Sequence, residues 1–136
     1  MPDDFPLNDK GFNPFGDLIG LSFSRTQKGT SRCTLEVDKK LLNPHNLVHG
    51  GVIYAMADTG MGVALYGDLD ENESCATIEI KIMYFKSVTS GAITCESTVL
   101  HRSKRIAIIE SEISNEGRLI AKATGTFYVL RRGAPE

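Results

Sequence analysis

Between Gly50 and Tyr66 the chain reads GGVIYAMADTGMGVALY, seventeen residues in which Asp58 is the single charge and the rest are apolar or small. A run of that length is a helix rather than a strand, and a helix apolar nearly all round needs cover from most directions. It falls short of the usual membrane-spanning length, and four glycines with a central aspartate weigh further against a span. The cover must come from the rest of the chain.

The rest reads mainly as strands. Cys33, Leu35 and Val37 alternate with Arg32, Thr34, Glu36 and Asp38, so Leu21 to Asp38 makes a hairpin turned at Lys28-Gly29-Thr30. Beyond the polar stretch Gly67 to Ser74, Ile78, Ile80, Ile82 and Tyr84 alternate with Thr77, Glu79, Lys81 and Met83, which places Thr77 on the face opposite Ile78 and Ile80. Three more strands follow, at about Ala92 to His101, Arg105 to Ser114 and Arg118 to Arg131. Ser87 to Gly91 and Asn115-Glu116-Gly117 are the turns between them. Asn13-Pro14-Phe15-Gly16-Asp17-Leu18-Ile19-Gly20 offers a cap, a proline and a short apolar turn, hence a brief N-terminal helix. The order predicts an α+β domain whose antiparallel sheet curls about one long helix.

With 136 residues, 41% of them hydrophobic, the chain suits one domain, 1–136, with flexible ends at 1–12 and 133–136. A net charge of −2 argues against a surface built to hold nucleic acid or anionic lipid, so an anionic ligand needs a local basic patch. Met1-Pro2-Asp3-Asp4-Phe5 has neither the positive start nor the apolar run of a secretory signal, and a cytoplasmic protein is expected. Cys33, Cys75 and Cys95 are scattered without metal or redox spacing and read as small buried apolar residues. No metal site is expected: His45 and His49 stand four apart, but on a loop holding Pro44 and without a third ligand.

Asp58 is costly if buried alone. Either it turns to solvent or bonds nearby backbone, or it has chemical work to do. At the helix start the first N–H groups lack partners and the peptide dipoles converge, so Gly50 and Gly51 present donors suited to a developing oxyanion. A bare Gly-Gly turn explains the pair equally well. Eight residues, ~12 Å of helix, separate Gly50 from Asp58. One chain does not bring both to one carbonyl, but a two-fold dimer joined at its sheet edges can, by setting the aspartate of one copy against the glycine turn of the other.

The segment Asn43-Pro44-His45-Asn46-Leu47-Val48-His49-Gly50-Gly51, followed by Val52-Ile53-Tyr54-Ala55-Met56-Ala57-Asp58-Thr59, resembles the PaaI type of acyl-CoA thioesterase in the hot-dog superfamily. The likeness spans about Asn43 to Arg131, and it is carried by an Asn six residues before His-Gly-Gly with an Asp nine after that His. It implies a hot-dog fold, and a carbonyl held by the Gly50 N–H while His49 and Asn43 arrange the thioester. Asp58 then acts as general base on water or attacks directly, helped by a strand hydroxyl that alignment places at Thr77. It also implies a homodimer, or a dimer of dimers, with sites at the subunit interface and no cofactor beyond the coenzyme A of the substrate. An aromatic acyl group is the first expectation.

For the phosphates of that substrate, Arg102, Lys104 and Arg105 form a basic group at a hairpin turn, with Gly51 as a further substrate contact. A solvated charged turn is the plainer reading of the three. Hot-dog hydratases and regulators that only bind acyl thioesters are the competing functions, and fold alone does not choose among them. Asp58 favours the hydrolase, since a binding module has no need of a carboxylate beside a carbonyl.

Overall fold

The computed structural model describes residues 6–133. Of the expected flexible ends, 1–12 and 133–136, residues 1–5 and 134–136 lie outside the described residues, while Asn8 clips its stretch to the sheet, giving its Nδ2 proton to Phe23 O and taking the Phe23 N–H on Oδ1 at 2.7 Å. Helix α1, Pro14–Ile19, begins with Asn13 accepting the Gly16 N–H and ends at Gly20, whose left-handed φ of 78° only glycine adopts freely. Strands β1 (Ser22–Gln27) and β2 (Thr30–Glu36) make the first hairpin, and a 3₁₀ turn at Lys39–Leu41 precedes the long helix α2, Gly50–Tyr66. Then come β3 (Glu73–Tyr84), β4 (Ala92–Arg102), β5 (Ile106–Asn115) and β6 (Arg118–Arg131). Glu116 and Gly117, at φ 49° and 82°, turn β5 into β6, the paired left-handed geometry of a tight hairpin.

All neighbours are antiparallel in one six-stranded sheet of order β1-β2-β4-β5-β6-β3. The sheet curls about α2 as a hot-dog α+β domain. Met56, Met61 and Leu65 of the helix are fully buried in one core with Ile93, Ile109, Ile113 and the inward side chains of β6, each burial contributing roughly 1.5–3 kcal/mol. The wrap is incomplete: Gly51, Tyr54 and Tyr66 are exposed and Ala55, Asp58 and Gly62 half-buried, one helical stripe left open. Among the described residues no helix is long and apolar enough to cross a membrane.

Strand β3, a sheet edge, departs from simple alternation. Thr77 pairs with Phe127, yet Glu79 pairs with Thr126, a bulge that inserts one residue. Thr77 therefore shares a face with Ile80 and Ile82, whose partners Gly125 and Ala123 line the core side of β6, and Ile78 is thrown outward. The period-two reading placed Thr77 opposite Ile80, and the bulge reverses that.

Candidate active site

Two clusters of the expected residues sit at different points along α2. At its start the loop from Asn43 is wound about that side chain: Asn43 Oδ1 accepts from His45 N and Leu47 N at 2.9 and 3.2 Å, an Asx turn. Val48 N bonds Val88 O, and His49 N bonds Leu41 O. His49 caps the helix, its Nδ1 accepting the Gly51 N–H at 2.8 Å, which leaves the proton of a neutral ring on Nε2. Gly51 was expected to meet substrate alongside Gly50, but its N–H is committed to His49. The Gly50 N–H has no acceptor among the described residues, and Gly50 lines a cavity of about 240 Å³ together with Asn43, Leu47, Ile53, Tyr84, Phe85 and Lys86.

The second cluster centres on Asp58. Thr77 Oγ1 donates to Asp58 Oδ1 at 2.7 Å, a contact that exists because the β3 bulge turns Thr77 toward the helix. Cys75 lies two residues back on the same face. Burial, and then the Asp58 carboxylate beside it, push the Cys75 thiol above its ordinary pKa. Sequence reasoning grouped Cys75 with the buried core cysteines; its place two residues before Thr77 on one strand face was the available signal. Cys33 and Cys95 are buried as expected, and all three are free thiols. The carboxylate thus has one oxygen fixed by a hydroxyl. The two clusters are ~12 Å apart along one helix, as their spacing required.

The basic group divides. Arg102 is not available to a phosphate: its guanidinium bonds both Glu73 carboxylate oxygens, at 2.8 and 2.9 Å, and Asp68 O at 3.0 Å. Lys104 and Arg105 instead join Arg131 and Arg132 around a groove of about 600 Å³ beside Ser74 and Tyr128. Glu73, which lines it, is four residues from Thr77, ~13 Å of strand, whereas the Gly50 end at Tyr84 is seven residues the other way. The cations therefore lie on the Asp58 side.

The Asp70 N–H holds the Glu73 carboxyl below its ordinary pKa; burial opposes that shift, and the Arg102 guanidinium adds to it. A depressed carboxyl stabilises the fold above its unfolded value of about 4.3, and the contribution is lost as pH falls through the folded one. Glu73→Gln is expected to lower the thermal midpoint at pH 7, with the gap to the unaltered protein closing as pH drops below about 4. A gap that stays constant across a pH series of melts would contradict this.

The family model of the thioesterase superfamily matches residues 45–122, a span that begins just after Asn43 and holds His49, Gly50, Asp58, Thr77 and the turn from Arg102 to Arg105. A Saccharolobus solfataricus protein whose name proposes an esterase is 32% identical over 116 residues, covering 85% of this chain and 77% of its own. A 1,4-dihydroxy-2-naphthoyl-CoA hydrolase of Listeria monocytogenes is 25% identical over 74% of this chain and 81% of its own. Among solved structures, a mutant of the phenylacetic acid degradation protein PaaI of Thermus thermophilus superposes with TM-score 0.80 at 26% identity, covering 85% of this chain and 98% of that one.

Proposed function

The chain belongs to the thioesterase superfamily, and from that premise we propose that it hydrolyses an acyl-CoA thioester to the free acid and CoA, with Asp58 activating water and the Gly50 N–H holding the carbonyl oxygen. The observation that carries this reading is the bond from Thr77 to Asp58, because it gives the lone carboxylate of an apolar helix a fixed orientation and a hydroxyl neighbour for a water. The water oxygen attacks the carbonyl carbon while its proton passes to Asp58. The carbonyl electrons move onto oxygen, against the Gly50 donor, and return as the C–S bond breaks. The leaving thiolate, with a conjugate-acid pKa of about 8.5, takes the proton back from Asp58 and needs no stronger acid.

A complete site needs two copies. β3 is an edge strand, and Ile78, Met83, Tyr84 and Phe85 along and just beyond it are exposed. A long apolar edge invites pairing with another strand. Joining two β3 edges about a two-fold axis sets the Asp58 cluster of one copy toward the Gly50 turn of the other, as a homodimer or a dimer of dimers. Half-exposed Tyr54 and Phe85 near Gly50 suit a flat aromatic acyl group. No cofactor enters this chemistry.

The test is a panel of aromatic and aliphatic acyl-CoAs with a thiol reagent reporting free CoA. Release from at least one is expected; acyl-CoA binding without release from any would leave a binding module. On the best substrate, joint replacement of Lys104, Arg105 and Arg131 by Ala is expected to raise KM about tenfold or more, as charged hydrogen bonds to phosphate are lost. KM for a short thioester lacking the nucleotide should not move. Equal rises for both would place the nucleotide elsewhere.

A further inference from the structure

We propose that Tyr84 is a positioning residue for the reaction: it clamps the first turn of α2 so that the Gly50 N–H stays aimed at the substrate carbonyl. This rests on the oxyanion role given to Gly50 above. Tyr84 ends β3 on the face turned to the helix, opposite Ala121, and its hydroxyl donates to Gly50 O at 2.7 Å. The ring lies against the glycine itself, since a Cβ added at Gly50 would stand 3.3 Å from both Cζ and Oη.

The clamp answers a specific weakness. The first turn of a helix has no preceding turn to bond to, and glycine is the residue that loses most freedom when fixed. A Gly-Gly start therefore frays unless held from outside. Two side chains hold it here: His49 takes the Gly51 N–H, and Tyr84 gives its proton to the Gly50 carbonyl, so the Gly50–Gly51 peptide is tied at both its polar groups. The mount is itself rigid, because β6 pairs with Tyr84, and the next residue, Phe85, donates its N–H to Ile120 O at 2.8 Å. A donor fixed before the substrate arrives needs no reorganisation as charge develops on the oxygen. Tyr84 touches no reacting atom and acts through Gly50.

The expected signature is a split between kcat and KM. Tyr84→Phe keeps the ring and removes the bond, and should lower kcat about tenfold with KM changing less than about twofold and the melting curve nearly unchanged. Amide hydrogen exchange at Gly51 and Val52 should quicken in the same variant. Tyr84→Leu, which also removes the ring, should lower kcat further. Unchanged kcat in Tyr84→Phe, or a fall matched by lost thermal stability, would overturn the proposal. Should the unaltered protein hydrolyse no thioester, the proposed function fails, and the exchange rates still decide the clamp: unchanged rates overturn it.

Discussion

Asp58→Asn is expected to lower turnover at least a hundredfold while leaving the melting temperature and CoA affinity close to those of the unaltered protein. A hundredfold is about 2.7 kcal/mol of barrier and the lower end of what a positioned base contributes. Asn preserves the acceptor that Thr77 addresses at 2.7 Å and nearly the same volume. It removes only the capacity to take a proton. Because Asp58 is half-buried and already hydrogen-bonded, the substitution leaves no uncompensated charge and the helix has no reason to move. Steady-state rates on the best acyl-CoA, with a melting curve beside them, make the measurement, and turnover within about threefold of the starting value would remove Asp58 from the mechanism. A single turnover in isotope-labelled water separates the two roles of the carboxylate: a base puts label straight into the product acid, whereas direct attack first delivers an unlabelled carboxylate oxygen.

The long helix was legible to its end residues because its signal is local: an apolar run opened by two glycines and closed by a polar stretch. The strands were legible for the same reason, and the hairpin turn at Glu116-Gly117 follows from residues that tolerate positive φ. What escaped was set by partners distant in sequence. Period-two alternation carries no mark of the inserted residue between Thr77 and Glu79, which becomes visible only against the register of β6. Arg102 looked free on its hairpin because its partners Asp68 and Glu73 are about thirty positions away and meet it only when β4 ends beside the C-terminal end of α2 and the start of β3. His49 was read toward the substrate, and its capping bond to Gly51 is a feature of the folded turn. The separation of Asp58 from Gly50, by contrast, needed no coordinates: helical rise alone placed them too far apart to share one carbonyl.

Two glycines of α2, two positions apart, are expected to respond to alanine in opposite directions. Gly60 faces the sheet, where an added Cβ would stand 2.7 Å from Ser97 Oγ and 3.4 Å from Cys95 Sγ. That serine cannot simply rotate away, since it is fully buried and shares a 2.7 Å hydrogen bond with Ser111, while Ser31 Oγ donates to Gly60 O at 2.6 Å. Helix propensity favours alanine over glycine by up to about 1 kcal/mol, but forcing a methyl into a packed seam costs about 1–3 kcal/mol. Packing wins at Gly60, and Gly60→Val should cost about 3 kcal/mol or more, a fall of about ten degrees in melting temperature. At Gly62 the added Cβ meets only Phe127 Cε2 at 4.0 Å, ordinary contact, so propensity wins and Gly62→Ala should raise the melting temperature. The consequence reaches the chemistry, because Gly60 lies two residues beyond Asp58 on the same rigid rod. Lifting α2 off β4 shifts the carboxylate away from Thr77, and displacements of that order cost turnover out of proportion to stability. Gly60→Ala should therefore lose more activity than its melting curve alone accounts for, and a variant that melts lower yet retains full turnover would show that the seam under Gly60 supports the fold without setting the site.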